Sequence, residues 1–134
     1  MIQEKSCGAV IYTESRGRRF YLIELMQKGH CSICKGHVEE DESEHQTAER
    51  EIFEETGLSV EFVNGFREII EYSPYEGCMK TVVFFLAHTD SMDVTVQEEE
   101  VREIRWLSIE DAVETLSFES DREVLKKAED YLKN

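Results

Sequence analysis

The chain has 134 residues, of which 34% are charged and 40% apolar, and its acids outnumber its bases 30 to 15 for a formal net charge of −15. That length accommodates one ordinary domain spanning residues 1–134, and seven Phe, five Tyr and one Trp can fill its interior, so a disordered chain is excluded. The acidity argues against nucleic acid and anionic membranes as partners, since both are met by basic faces. A polyanionic small molecule stays open where a divalent cation neutralises it locally. No apolar run is long enough to span a bilayer, and nothing after Met1 resembles a signal peptide, so a soluble cytoplasmic protein is expected.

Along the chain, Cys7 to Tyr12 and Phe20 to Leu25 read as apolar strands joined by a hairpin turn at Arg16-Gly17-Arg18-Arg19. Residues 26 to 42 read as a loop broken by Gly29 and Gly36. A helix is predicted from Ser43, its N-cap, to Thr56, with Ala48 and Ile52 facing inward and Gly57 ending it in the left-handed conformation. Strands are predicted near 59–63, 67–72, 81–88 and 102–106. Ser108 and Asp111 form a capping pair for a short helix over 109–115. A last helix over 120–132 carries Val124, Leu125, Ala128, Tyr131 and Leu132 on one stripe. This order predicts an α/β chain with a mixed sheet between helices.

The four cysteines are Cys7, Cys31, Cys34 and Cys78. Cys31-Ser-Ile-Cys34, with His30 beside it, has the gap of half a zinc site, but no second close pair completes it. Ordinary reduced thiols are expected instead.

The chemistry concentrates in residues 36 to 58, GHVEEDESEHQTAEREIFEETGL. On the predicted helix, Glu51, Glu54 and Glu55 occupy an arc of roughly 100° at 100° per residue. Carboxylates so crowded repel one another, and a divalent cation reverses the sign of that interaction. Arg50 stands next to Glu51 and one turn before Glu54, placed to hold a carboxylate in position. Three acids alone, in a chain with 24 glutamates, are more often a solvated helix face. The full spacing is far rarer: Gly36, five residues, Glu42, seven residues, Arg50-Glu51, Ile52, any residue, Glu54-Glu55, any residue, Gly57, Leu58. Chance produces that set on the order of a few times per million chains of this composition.

This stretch is identified as the signature of the Nudix hydrolases, and the resemblance covers nearly the whole chain. It implies an α/β/α sandwich around a mixed sheet, with the signature forming a loop, a helix and a loop. It also implies that Glu51, Glu54 and Glu55 bind Mg²⁺, or Mn²⁺ in its place, helped by a backbone carbonyl of Lys35 or Gly36. Arg50 belongs to the catalytic set, and with Glu42, Gly36 and Gly57 it braces the loop and helix. A further acid outside the signature commonly completes such a site, and within Glu98-Glu99-Glu100 the spacing to Arg105-Trp106-Leu107 favours Glu100. Either Glu54 or Glu100 then takes the proton of the attacking water.

Cys7-Gly8, Lys35-Gly36-His37-Val38-Glu39, Lys80-Thr81-Val82 and Arg105-Trp106-Leu107 look similar to the subgroup that cleaves diadenosine tetraphosphate asymmetrically. That likeness implies a small-molecule nucleoside polyphosphate as substrate, with Lys35, His37 and Lys80 on its phosphates and Phe84 or Tyr72 stacked on a base. For both aromatics, packing within the sheet is the competing role. Cys34 stands where the subgroup usually has proline, and Asp41 where glycine usually precedes Glu42, a position Asp tolerates in a left-handed turn. The alternatives are a pyrophosphohydrolase of nucleoside triphosphates, ADP-ribose or capped RNA ends, and, in another class, a non-catalytic nucleotide sensor, against which the intact acid set argues. No feature of the chain specifies an oligomeric state.

Overall fold

In the computed structural model, which describes residues 1–134, strand β1 (Ile2–Ser15) passes through Arg16 and Gly17 into β2 (Arg18–Met26). Both turn residues have positive φ, the two-residue hairpin that matches the right-handed twist of its strands. The segment expected as a plain loop contains two short strands, β3 (Cys31–Ser32) and β4 (Lys35–His37). Then follow α1 (Glu44–Thr56), β5 (Glu61–Phe62), β6 (Glu68–Tyr72), β7 (Cys78–His88), β8 (Val101–Leu107), α2 (Ile109–Thr115) and α3 (Glu119–Lys133). Backbone pairing explains the strands in 26–42: β3 pairs with β2 and β4 with β1, so these polar segments satisfy their amides on the sheet.

The sheet is mixed, with eight strands. β1 and β7 run parallel from Ile2 opposite Cys78 to Tyr12 opposite His88, and the other pairs are antiparallel. Successive residues of a strand point to opposite faces. Val10, Tyr21, Ile23, Val82, Phe84 and Leu86 therefore meet Ala112 of α2 and Val124, Leu125 and Ala128 of α3 on one side. On the other, Cys7, Ala9, Ile11, Leu22, Val83, Phe85 and Ala87 meet Ala48 and Ile52 of α1. The result is the α/β/α sandwich.

α1 starts and stops where the sequence predicts. The Ser43 hydroxyl accepts from the Gln46 amide at 3.1 Å while the Gln46 side chain accepts from the Ser43 amide at 2.9 Å, a reciprocal box. Gly57 closes the helix at φ 76°. Asp41 takes the left-handed conformation at φ 67°, as expected of an Asp standing before Glu42. In the first turn, the Glu44 carboxylate accepts from Lys5 at 2.7 Å and from Arg67 at 2.8 and 2.9 Å, tying α1 to β1 and to the segment before β6.

One expectation is corrected here. Phe84 is 0% exposed at the centre of the core that faces α2 and α3, so its ring packs the interior and presents no face to a base. Phe84→Ala is expected to cost about 3–5 kcal/mol of stability. Urea denaturation measures it, and KM of the folded variant is expected to stay near that of the parent.

Glu44 yields a second expectation. Hydrogen bonds from Arg67 and then Lys5 hold its carboxyl down at about 2, below its ordinary 4.5. A depressed folded value stabilises above the unfolded pKa and is lost as pH falls through the folded one. Glu44→Gln is therefore less stable than the parent at neutral pH, and the two denaturation curves converge between about pH 4.5 and about 2. A gap independent of pH contradicts this.

Candidate active site

Helix periodicity places Glu51, Glu54 and Glu55 on the side of α1 that meets β4, but at three depths: Glu54 is exposed, Glu51 partly covered and Glu55 buried. Arg50 lies among the acids. Its Nε donates to Glu42 at 2.6 Å, Nη1 to Glu51 at 3.0 Å and Glu54 at 3.2 Å, and Nη2 to Glu42 at 3.0 Å and the His37 carbonyl at 2.9 Å. Glu42 also accepts from the Glu39 amide and the Thr47 hydroxyl. Arg50, foremost, and the Glu39 amide hold its carboxyl down at about 2. Arg50 and Glu42 thus join the loop to the helix, the arrangement the bracing expectation describes.

Gly36 has a steric reason to be glycine. A Cβ built there would lie 2.0 Å from the Glu51 carboxyl carbon and 2.2 Å from both its oxygens. The missing side chain is the space the carboxylate occupies, which brings it directly onto the β4 backbone.

Beneath this arc lies a group the sequence reading passed over. Glu24 of β2 points to the α1 side, like Leu22, and is 1% exposed; Glu55 is 3% exposed and Cys34 fully buried. Ligand atoms of these three residues lie within 4.8 Å of one another. Burial, then the adjacent Glu24 carboxylate, push the Glu55 carboxyl up to about 11, and burial likewise raises Glu24 and the Cys34 thiol. Glu55 Oε1 and Oε2 and Glu24 Oε2 have no hydrogen-bond partner. The signal was a carboxylate within the apolar strand Phe20 to Leu25, which burial alone does not explain. Cys31, Cys34 and His30 do not converge on a common point; the one convergent set takes Cys34 and leaves Cys31 out.

A cleft of about 360 Å³ opens beside Glu24, and Lys35, Gly36, His37, Tyr72, Lys80 and Glu100 also border it. Every substrate-binding residue expected from sequence except Phe84 is therefore on one wall or another of the same cavity, and so is Glu100. Tyr72 and Lys80 sit opposite each other in the β6–β7 pairing. Lys80 is held below its ordinary value by burial and then by the like charge of Lys35. The lysines that form ion pairs are Lys5, Lys127 and Lys133, so Lys35 and Lys80 face the cleft without an acid partner. An adjoining hollow of about 350 Å³ is lined by His30, Lys35, Ile70, Tyr72, Phe118, Ser120 and Asp121. Tyr72 is 41% and Phe118 52% exposed, and Phe118 lies 5.7 Å from the His30 ring. No sequence signal marks Phe118, which only the fold brings to the cleft.

Comparison with known proteins identifies the family and the fold. The NUDIX domain profile matches residues 4–128. The chain belongs to the NUDIX domain family. Among curated Nudix relatives it is 31% identical to the asymmetrical bis(5'-nucleosyl)-tetraphosphatase of Sus scrofa, over 96% of this chain and 95% of that one. A second, the NAD-capped RNA hydrolase NudC of Actinobacillus succinogenes, is 34% identical over 75% of this chain and 39% of its own length. Of solved structures, a C. elegans Ap4A hydrolase binary complex superposes with a TM-score of 0.89 at 27% identity, covering 97% of this chain and 98% of that one. The NUDIX domain of Shewanella oneidensis NrtR, complexed with ADP ribose, superposes at 0.78 with 18% identity and shares the fold. The chain is accordingly a Nudix hydrolase acting on phosphoanhydride bonds.

Nudix hydrolases generally depend on a divalent metal, and the donors here suit one. Orphaned oxygens on Glu55 and a Glu51 carboxylate lodged against the Gly36 backbone form an oxygen-rich pocket whose own charges oppose one another. Because Gly36 admits Glu51 to that place, Gly36→Ala displaces the carboxylate while leaving the sheet pairing intact. Turnover in the presence of metal is expected to fall about 10- to 100-fold with the thermal midpoint little changed. Unaltered turnover shows that Glu51 need not lie there.

Proposed function

We propose that the chain hydrolyses a dinucleoside tetraphosphate asymmetrically, with diadenosine tetraphosphate and water giving ATP and AMP, and that Mg²⁺ is its metal, with Mn²⁺ able to replace it. The observation that carries this reading is the pair of unpartnered lysines, Lys35 and Lys80, in a cleft that Glu24, Gly36 and Glu100 also border and that adjoins the exposed aromatics Tyr72 and Phe118. In a chain of net charge −15 this pairing of cations is a local reversal of sign that suits a polyanionic substrate. The similarity to asymmetrical bis(5'-nucleosyl)-tetraphosphatases over 96% of the chain supports the same substrate class.

The residues divide the work by position. Lys35 and Lys80 draw the phosphates into the cleft, and His37 lines the same stretch of it. Tyr72 and Phe118 offer faces for a base at the mouth of the adjoining hollow. Glu51, Glu54, Glu55 and a carbonyl of Lys35 or Gly36 would hold the cation, which when bound neutralises phosphate charge and acidifies water. Arg50 fixes Glu51 and Glu54 in place before any ligand arrives. Glu100 borders the cleft from the turn before β8, where Gln27 and Gln97 hold its backbone. Its carboxylate takes the proton of the attacking water, whose oxygen bonds to phosphorus as the P–O–P bond breaks and the second nucleotide departs.

Product analysis tests the reading. With Mg²⁺ and diadenosine tetraphosphate the products are expected to be ATP and AMP, not two ADP. Glu54→Gln and Glu55→Gln are expected to lose most turnover and remain folded, and Glu55→Gln to match or exceed the metal-free parent in stability because it removes an acid whose ionised form the interior disfavours. Tyr72→Ala is expected to raise KM about 5- to 150-fold with kcat largely kept, the equivalent of roughly 1–3 kcal/mol of base stacking. A wide preference in kcat/KM for a nucleoside triphosphate or ADP-ribose defeats the substrate assignment. Full turnover in both glutamine variants defeats the metal-ligand assignment.

A further inference from the structure

Glu24, Cys34 and Glu55 form a buried trio that the Nudix signature does not account for, since only Glu55 belongs to it. Two carboxyl groups placed together in the interior lose their hydration, and ionising either there costs several kcal/mol unless a cation answers it. Nothing basic does. Arg50, the guanidinium of this region, is engaged by Glu39, Glu42, Glu51 and Glu54. Three of the four carboxylate oxygens lack any partner, and one oxygen of each carboxyl group converges with the Cys34 sulfur. Donors about 2.0–2.3 Å from one cation lie at most ~4.6 Å apart, and the ligand atoms of the trio are all within 4.8 Å of one another. A small inward movement closes them on an ion.

We propose that Glu24, Cys34 and Glu55 form an inner cation position and that the Cys34 sulfur makes it favour a thiophilic divalent ion such as Zn²⁺ or Co²⁺ over Mg²⁺. The proposal rests on reading Glu55 as a metal ligand. Magnesium seeks six oxygens in a tight octahedron and gains little from sulfur, whereas zinc and cobalt bind a mixed sulfur and carboxylate set. Three protein donors would leave a coordination place free, and Glu51 borders Glu55. The position is thus joined to the catalytic acids through Glu55 and differs from them in chemistry.

Chelator-treated protein, reduced and then titrated with Co²⁺ alone, tests this. The parent is expected to develop a thiolate-to-cobalt charge-transfer band in the near ultraviolet that saturates at one ion per chain. Zn²⁺ abolishes the band and excess Mg²⁺ leaves it. Cys34→Ser and Cys34→Ala lose it, Cys31→Ser keeps it, and Glu24→Gln weakens Co²⁺ binding roughly tenfold or more. Circular dichroism checks that each variant is folded. X-ray absorption of the zinc-loaded parent, which needs no variant, is expected to show one sulfur at about 2.3 Å. No sulfur in that spectrum, or a band that survives in Cys34→Ser, overturns the proposal and leaves the trio as a proton-sharing acid pair with the thiol as donor. The proposed hydrolase is judged separately: if Mg²⁺-supported turnover persists in Glu55→Gln, the reading of Glu55 fails, and the inner position fails with it.

Discussion

At the centre of this molecule a guanidinium is planted among carboxylates, and Arg50 reaches Glu39, Glu42, Glu51 and Glu54 together with the His37 carbonyl. An acidic arc on a helix is unstable by itself, and the six-residue loop between β4 and α1 has little reason to adopt one path. The planar fork of the arginine answers both, because its several donors point in fixed directions and cannot be deprotonated. Lysine in its place supplies a charge without the geometry. The loop from His37 to Glu42 and the acid face of α1 are in this sense a single object held at one point, and the cleft is shaped around it.

The cation that the acids await and the lysines across the cleft address opposite needs. Acids concentrated on α1 repel a polyphosphate, and the unpaired Lys35 and Lys80 attract it. The half-buried placement of Lys80 strengthens its attraction, because a partly desolvated charge is screened less by salt than one on the surface. The strongly negative remainder of the protein leaves this cleft as a place where an anion meets positive charge at close range.

The parts of this arrangement that were legible in sequence are those with local causes. Gly36, Glu42, Arg50, Glu51, Glu54, Glu55 and Gly57 stand at fixed spacing because a loop and one helix position them, and spacing is what a sequence displays. The helices 109–115 and 120–132 were legible from Ser108 and an apolar stripe. The parts that depend on which strand lies beside which were not. Phe84 and Tyr72 both look like strand aromatics, and only the pairing of β6 with β7 under α3 buries one and exposes the other. Glu24 and Cys34 reach Glu55 across separate elements, and Phe118 joins the hollow from a loop near the opposite end of the chain. Strands β3 and β4 escaped notice since their residues are polar and their only rationale is a neighbouring backbone.

The parallel pairing of β1 with β7 also has a temporal side. Partners such as Gly8 and Phe84 are separated by more than half the chain, so the ladder at the middle of the sheet becomes available well after the first hairpin and α1. Until β7 has left the ribosome, β1 has only β2 and β4 to pair with, and one edge of it stays open. The acid helix can wind early from its own capping signals, but the platform beneath it is incomplete. A nascent chain stalled before β7 therefore carries the whole signature and an unsatisfied strand edge, a state prone to pair with another such chain rather than to act.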